Sequence, residues 1–495
     1  MIKKHFILTT MIGAMFSLLL STYSFTAPIE GTTKPRPSNY TSPAAAKAVK
    51  VPSNEWTAGR KAGFLIVKSL KRPDPGFKVD FPRVPGFNEK YYEDWKAMLG
   101  FDSPSLVALN DPAPEIKPGT VITPANFQTF PNLPKIMPES QYWRLSSKGY
   151  PQIKKIEVQA TRPIYHHTLV MQQSLKNSGK VKVDPQTYQL TGGYKAGIPF
   201  LNPKSGLEAD WNSTMARVFY IDQFSFQTIN FLNFDGRGNL ERTIRCNLYW
   251  MRFSTRTCMN YDEDFFLKGA AKDKQDGVLE KGAMVAIFPT DIKGFAFVRT
   301  RFMAPDRPDY FIAFVPGMRR VRVLSGTDAQ DPIFGSELQW DTWASDWKKI
   351  SANIYPDSHN LLGEAIILYP GYQPTPTIRV EGNMMYAKWE KRPVRVLEVI
   401  SKDPRYYYGY RVKCLDMEHN RETNHEYYDT KGNLWRGWTG FGYTDPKTSY
   451  SAWDGADCFD YINRHHTILK VQSRPNDPTV NPSYFDLRFL SRQAR

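Results

Sequence analysis

Few residues of this chain are spaced for chemistry. Glu418, His419, His425 and Glu426 are of the types that ligate a transition metal, and four such side chains within nine positions could gather round one ion. They fall inside a segment copied from earlier in the chain, where the same positions hold Phe224, Ser225, Phe231 and Leu232. Solvent-facing polar side chains are therefore expected there, and no metal. The doublets His166-His167 and His465-His466 supply imidazoles, but neighbours on a strand point to opposite faces and do not easily chelate one ion. Asp262, Glu263 and Asp264 read as a solvated turn or helix start, since hydrolysis by paired carboxylates needs two acids facing each other across a substrate. The sequence has no GxSxG elbow, HExxH, Walker loop, GxGxxG or calcium loop. The expectation is a protein that is not an enzyme, with no catalytic residues and no cofactor.

Four cysteines are the remaining reactive groups, and in an oxidising compartment they allow three disulfide connectivities. Cys246 and Cys258 bracket CNLYWMRFSTRTC, which could fold back as a hairpin and bring the two sulfurs together; Cys414 would then pair with Cys458. Nothing matches a CxxC redox pair or a haem-attaching CxxCH.

Residues suited to holding a ligand are more frequent than residues suited to transforming one. Tyr310 to Val315 is apolar at every position, so Ile312 and Phe314 belong to a strand covered on both sides or lining an apolar cavity. Pro316-Gly317 turns it into Met318 to Val323, where Arg320 and Arg322 share one face, solvated or facing an anionic head group. Trp340, Trp343 and Trp347 then recur at helical spacing, an indole stripe on a short helix begun by Ser336 or Asp331 that could act as a lid over a sheet.

The elements that must position these groups are mostly strands. Residues 217–242 align without a gap onto residues 411–436, with nine identities in 26 positions, and each copy reads as strand, turn, strand closed by Asp-x-x-Gly-Asn. The Gly supplies the positive φ that a bulged hairpin requires. A mainly β fold follows, a large curved antiparallel sheet built from similar pieces. Lys3, Lys4, an apolar stretch from Phe6 to Leu20 and the small residues ahead of a cut after Ser24 make residues 1–24 a signal peptide. No cysteine lies near that cut to carry a lipid anchor, so a soluble exported protein is expected. Residues 25–138 form a proline-rich segment, holding 17 of the 37 prolines between residues 28 and 138, that wraps the domain in extended form with helices over Asn54–Leu70 and Asn88–Leu99. Residues 139–495 form the antiparallel β domain. The formal charge is +16, or +14 without Lys3 and Lys4, which favours anionic phospholipids or glycans. Scattered cations in an exported chain argue against nucleic acid.

Several blocks carry a resemblance: ITPANFQTFPNL (122–133), GIPFLNPKSGLEADWN (197–212), FVPGMRRVRV (314–323), DPIFGSELQWDTW (331–343), RPVRVLEV (392–399) with YGYRVKCLD (408–416), and the closing YFDLRFLSRQAR. In this order they resemble the domain-of-unknown-function family 1329. The resemblance implies a fold similar to periplasmic lipoprotein carriers and their outer-membrane receptor, an incomplete barrel round an apolar cavity under short helices. It further implies association with an efflux-type inner-membrane transporter and an outer-membrane barrel. A carrier or chaperone for a lipid or lipidated molecule in the periplasm is the function expected. Its alternatives are an adaptor with a filled core and a glycan-binding module, the latter requiring indoles exposed along a groove.

Overall fold

The two copies fold alike because each turn is organised by its own aspartate. In the first copy the Asp235 carboxylate accepts the backbone N–H groups of Arg237 and Asn239, both at 2.8 Å, and Asn239 Nδ2 at 3.0 Å. In the second, Asp429 accepts from Lys431 and Asn433 at 2.8 Å and from Asn433 Nδ2 at 3.0 Å. Gly238 and Gly432 sit at φ +85° and +87°, a left-handed conformation open to glycine without strain. Asp222 and Asp416, the equivalent aspartates upstream, are both buried and organise the loops beside them. Asp222 accepts the N–H groups of Thr257, Cys258 and Met259, and Asp416 those of Glu418 and His419.

The computed structural model describes residues 64–73, 89–216, 220–318, 320–324, 331–342, 348–374, 376, 378–406, 408–486 and 489. The signal peptide and residues 54–63 of the first expected helix lie outside these. Short strands β1 (Val121–Ile122), β2 (Ile156–Val158), β3 (Lys182–Val183) and β4 (Leu190–Thr191) precede the long ones. The first long group is β5 (Gln223–Phe234), β6 (Leu240–Arg252), β7 (Val278–Phe288), β8 (Ala296–Phe302), β9 (Tyr310–Val315) and β10 (Arg320–Leu324). The second group is β11 (Asp357–Pro370), the small hairpin β12 (Arg379–Glu381) and β13 (Met384–Tyr386), then β14 (Lys388–Ser401), β15 (Tyr408–Asp416), β16 (Glu422–Asp429), β17 (Leu434–Thr444), β18 (Ser451–Asp460) and β19 (His465–Pro475).

Thirteen of these pair antiparallel in one sheet, in the order β11-β14-β15-β16-β17-β18-β19-β5-β6-β7-β8-β9-β10, with β2 joining β14 in parallel. The copies are the hairpins β5-β6 and β16-β17. The last strand of the second group, β19, pairs with the first of the earlier group, β5, through ten register partners from His466/Phe234 to Pro475/Phe224.

Both faces of this sheet are covered. Helices α1 (Glu89–Leu99), α2 (Ser103–Asn110), α4 (Thr168–Asn177) and α5 (Gly206–Ala216) bury Trp95, Leu106, Met171, Trp211 and Met215 in one cluster with Ile366 of β11; α3 (Glu139–Arg144) lies between α2 and α4 in the chain. Across β16 and β17, α3 donates from Ser140 N–H to Glu426 and from Gln141 Nε2 to Asn424 and Thr439. The C-terminal residues Val480, Phe485 and Phe489 cover Ile312 and Val298. The expected strand at Tyr310 to Val315 is thus apolar on both faces because each face packs on a different layer. Helix α1 matches the expected Asn88–Leu99 and stops at Gly100, φ +79°.

Four expectations need correction. Phe64 to Leu70 is extended: Val67 exchanges backbone hydrogen bonds with Glu364 of β11, and the buried Phe64 and Ile66 anchor it. Asp331 to Thr342 is a series of turns, because Phe334 (φ +53°) and Gly335 (φ +72°) lie in the left-handed region, where a right-handed helix cannot continue. Trp343 and Trp347 lie outside the described residues. The cysteines are free. Cys414 and Cys458 sit on β15 and β18 with two strands between, three spacings or about 14 Å, beyond the roughly 7 Å limit for a bridge. Cys246 lies mid-strand in β6, which runs straight on to Arg252, about 20 Å away, before the loop carrying Cys258 to Asp222. Glu418, His419, His425 and Glu426 are buried, not solvent-facing. His425 and Glu426 follow each other on β16 and so point to opposite faces. Glu418 is engaged by Arg392 and by the N–H groups of Ser103 and Ile164.

Gly432→Val places a β-branched residue at φ +87°, and the expected cost is about 1–3 kcal/mol in equilibrium denaturant unfolding. An unchanged midpoint would show that this turn does not hold its hairpin.

Candidate functional site

One face of the long sheet is lined by aromatic and branched side chains from strand after strand. Across β9, β8, β7 and β6 the register runs Ala313, Phe297, Met284, Leu248, and continues through Phe226 of β5. Phe231 is opposite Leu469, and Leu469 opposite Ala456. Trp438 of β17 stands edge-to-face on Trp453 of β18, ring centres 5.4 Å apart. The two indoles rest on backbone: a Cβ at Gly440 would come within 2.5 Å of Trp438 and 2.6 Å of Trp453.

Residues 331–342 lie against this face. Ile333 and Leu338 are fully buried in its core. Phe334 meets Phe295 and Phe231 edge-on, at 5.4 and 6.2 Å. Trp340 meets Phe297 and Phe311 edge-on, at 4.7 and 5.1 Å. The next residue back, Gln339, accepts a 2.6 Å hydrogen bond from Tyr408 of β15, and Asp341 accepts from Tyr406. Strands β9 and β15 are nine spacings apart along the sheet, about 43 Å were it flat. Consecutive residues that touch both require the sheet to curl round the segment, with its aromatic face inward.

The same closure recurs in charge. Lys348 pairs with Asp357 of β11 at 2.6 Å, and Arg411 of β15 meets the same oxygen at 2.7 Å. Its neighbour Lys349 reaches the opposite strands, donating to Phe302 O at 3.1 Å and standing 3.7 Å from Asp309, which Arg299 and Arg301 hold at 2.7 and 3.0 Å. Burial pushes the Asp309 carboxyl up, but the three cations outweigh it and keep the group well below the usual carboxylate range. Burial draws Lys349 down to about 8, against the pull of Asp309. Nearby Lys413 pairs with Asp210 at 2.9 Å.

Phe226, Ile229, Trp438, Trp453, Ala456, Leu469 and Val471 line a half-open apolar pocket whose cavity of about 30 Å³ accommodates only one or two waters. The expected site residues divide. Trp340 is on the inward face. Ile312 and Phe314 alternate with the inward Phe311 and Ala313 and face the C-terminal cover instead. Arg320 and Arg322 are exposed on the edge strand β10. Part of the pocket has a sequence signal, since Leu469 and Val471 alternate with Lys470 and Gln472 along β19; Trp453 and Ala456 have none, because they lie an odd number of residues apart on β18, which is buried at every position. Among the described residues no group of His, Cys, Asp or Glu could hold a metal ion.

The family described as Protein of unknown function (DUF1329) matches residues 121–490, three quarters of the sequence. The chain belongs to the DUF1329 family. No curated protein matches it. Among solved structures it is similar to a domain from Vibrio parahaemolyticus named for outer membrane lipoprotein sorting, with 18% identity, TM-score 0.39, and coverage of 57% of this chain and 97% of that one. A DUF1329 protein from Desulfovibrio piger gives 15%, 0.38, 56% and 98%, and a LolA superfamily protein from Nitrosomonas europaea 12%, 0.33, 56% and 98%. At such scores the likeness adds no argument of its own, and the fold stands on its own strand order: mainly β, in one large sheet that does not close on itself.

His465 reports on the inserted segment. Glu337 lies in that segment and accepts from the Nδ1 of His465 at 3.0 Å, while Glu241 accepts from its Nε2; together they lift the imidazole to about 9 against the opposing effect of burial. A raised folded-state value means that this tie stabilises fully below the unfolded value near 6.5 and is lost as pH rises through about 9. His465→Gln is therefore expected to fall below wild type in melting temperature at pH 6 and to converge with it by pH 9.5. Parallel curves would show the contact to be electrostatically inert.

Proposed function

We propose that this protein is a periplasmic carrier or chaperone for a lipid or lipidated molecule, and that an acyl chain occupies the inward aromatic face now filled by residues 331–342. The observation that carries this reading is the closure of the curled sheet by an inserted segment instead of by strand pairing. Interlocked strands could open only by breaking ladder hydrogen bonds. A segment held by side-chain contacts, namely two tyrosine hydroxyls, Glu337, the rings and the buried Ile333 and Leu338, can leave without breaking a ladder and be replaced by another apolar chain.

The energetics fit a carrier. Each exposed CH₂ costs about 0.8 kcal/mol in water, so a long acyl chain needs a seat worth on the order of 10 kcal/mol to cross an aqueous compartment. A cavity of about 30 Å³ offers a first foothold only, and the rest of the seat would be the space vacated by Ile333, Phe334, Leu338 and Trp340. The indoles of Trp438 and Trp453 are turned inward, which supports lipid over a glycan-binding groove. The reaction is binding and release, without catalysis. Delivery would draw on an inner-membrane efflux-type transporter and an outer-membrane barrel. The signal sequence at residues 1–24 supports the compartment, and among the described residues no helix is long and apolar enough to cross a membrane. One observation favours the adaptor alternative: the segment fills the interior well enough to serve as a permanent core.

Native mass spectrometry of the mature protein isolated from its own envelope, with analysis of its organic extract, separates the two. A stoichiometric lipid is expected, and it should be lost from a folded Ala456→Phe variant that fills the pocket. Empty protein that also fails to brighten a hydrophobic dye would establish the adaptor.

A further inference from the structure

Register places five hairpin turns at one end of the sheet: residues 429–433, 461–464, 235–239, 289–295 and 316–318, joining ten consecutive strands from β16 to β10. Successive turns are two strands apart, about 10 Å. This end differs from the rest of the described surface in two ways. First, five of the ten exposed large hydrophobic residues lie on these turns or on the strand residues next to them: Leu240 (54%), Ile287 (38%), Phe288 (45%), Val321 (43%) and Ile462 (54%). Among the described residues, Tyr310 and Val323 are so exposed toward the other end of these strands, on the outer strands β9 and β10, while Leu109, Val121 and Leu175 belong to the covering layers.

Second, cations outnumber carboxylates. Arg237, Lys293, Arg320, Lys431 and Arg464 are exposed at the same turns and have no ion pair among the described residues. The carboxylates beside them are occupied. Asp235 and Asp429 bind their own turns, Asp291 pairs with Arg242 at 2.7 Å, and Glu241 with His465 at 2.6 Å. Arg245 lies over the exposed Phe288 ring at 5.5 Å, so cation and apolar tip form one unit.

The geometry points to this end of the sheet as a docking surface for an anionic phospholipid bilayer, with the apolar tips entering between head groups and the cations on the phosphates. A protein partner would favour one contiguous apolar patch with charges at its rim. Here single apolar side chains stand on separate turns among cations, which suits a fluid interface carrying negative charge. The surface is independent of what the inward face holds, so either inference can fail without the other.

The test is co-sedimentation of the full mature protein with vesicles of phosphatidylethanolamine and phosphatidylglycerol, against vesicles of phosphatidylcholine alone. Binding to the anionic vesicles that weakens with salt is expected. At about fivefold per cation near the surface, the triple reversal Lys293→Glu, Lys431→Glu, Arg464→Glu should weaken it by roughly a hundredfold or more. The triple Leu240→Ser, Phe288→Ser, Ile462→Ser should also release the protein, and unchanged melting of both variants would show that only the surface was altered. Equal binding to both vesicle types, binding that neither triple affects, or no binding at low salt would overturn the proposal. So would a wild-type dimer that the serine triple converts to monomer, which would assign this end to a second copy of the chain.

Discussion

The structure depends on how a very wide sheet is held curled. Twist alone bends an antiparallel sheet without fixing the degree of bending. Here the span is set by a connection. Gln339 and Trp340 are adjacent, and so are Lys348 and Lys349, yet within each pair one residue contacts the strands near β11 and β15 and the other those near β8 and β9. Two neighbouring residues are about 3.8 Å apart at the backbone, so the two flanks of the sheet are drawn within a side chain's reach of each other. The sheet remains open, because β10 and β11 are not register partners.

That closure divides the interior by chemistry. Where residues 331–340 enter, the contacts are rings and branched chains. Where residues 348–350 leave, they are ion pairs among Asp357, Arg411, Asp309, Arg299 and Arg301, nearly dry. Buried ion pairs of this kind add little net stability over apolar packing, because desolvation offsets much of their attraction. Removing one partner, however, leaves an uncompensated charge, so the pairs define register strongly. The polar side fixes the geometry, and the apolar side leaves a contact that another apolar chain can replace.

Parts of this were legible in the residues themselves. The Asp-x-x-Gly-Asn turns acted as read, since a carboxylate two and four residues before free N–H groups, with glycine supplying positive φ, needs no distant partner. Helix α1, stopped by Gly100, is local in the same way. Other readings failed where distant contacts won. The spacing of Trp340, Trp343 and Trp347 suggested a helix, but Trp340 is on a turn that the facing Phe297 and Phe311 hold in place. Glu418 looked solvent-facing because nothing nearby in sequence announces Arg392, Ser103 and Ile164. Cys414 and Cys458 looked pairable until two strands came between them.

The sequence by itself determined the local pieces: the duplicated hairpin with its turn chemistry, the dominance of strands, the family, and an excess of cations. These depend on residues within a few positions of each other, or on patterns repeated along the chain. The tertiary structure alone decided which aromatic residues face inward, that the second group of strands precedes the first in the sheet, and that five turns share one end. Spacing along a strand says which side chains share a face, as Tyr410, Val412 and Cys414 do on β15, but where both faces are buried only the contacts with distant neighbours tell inside from outside.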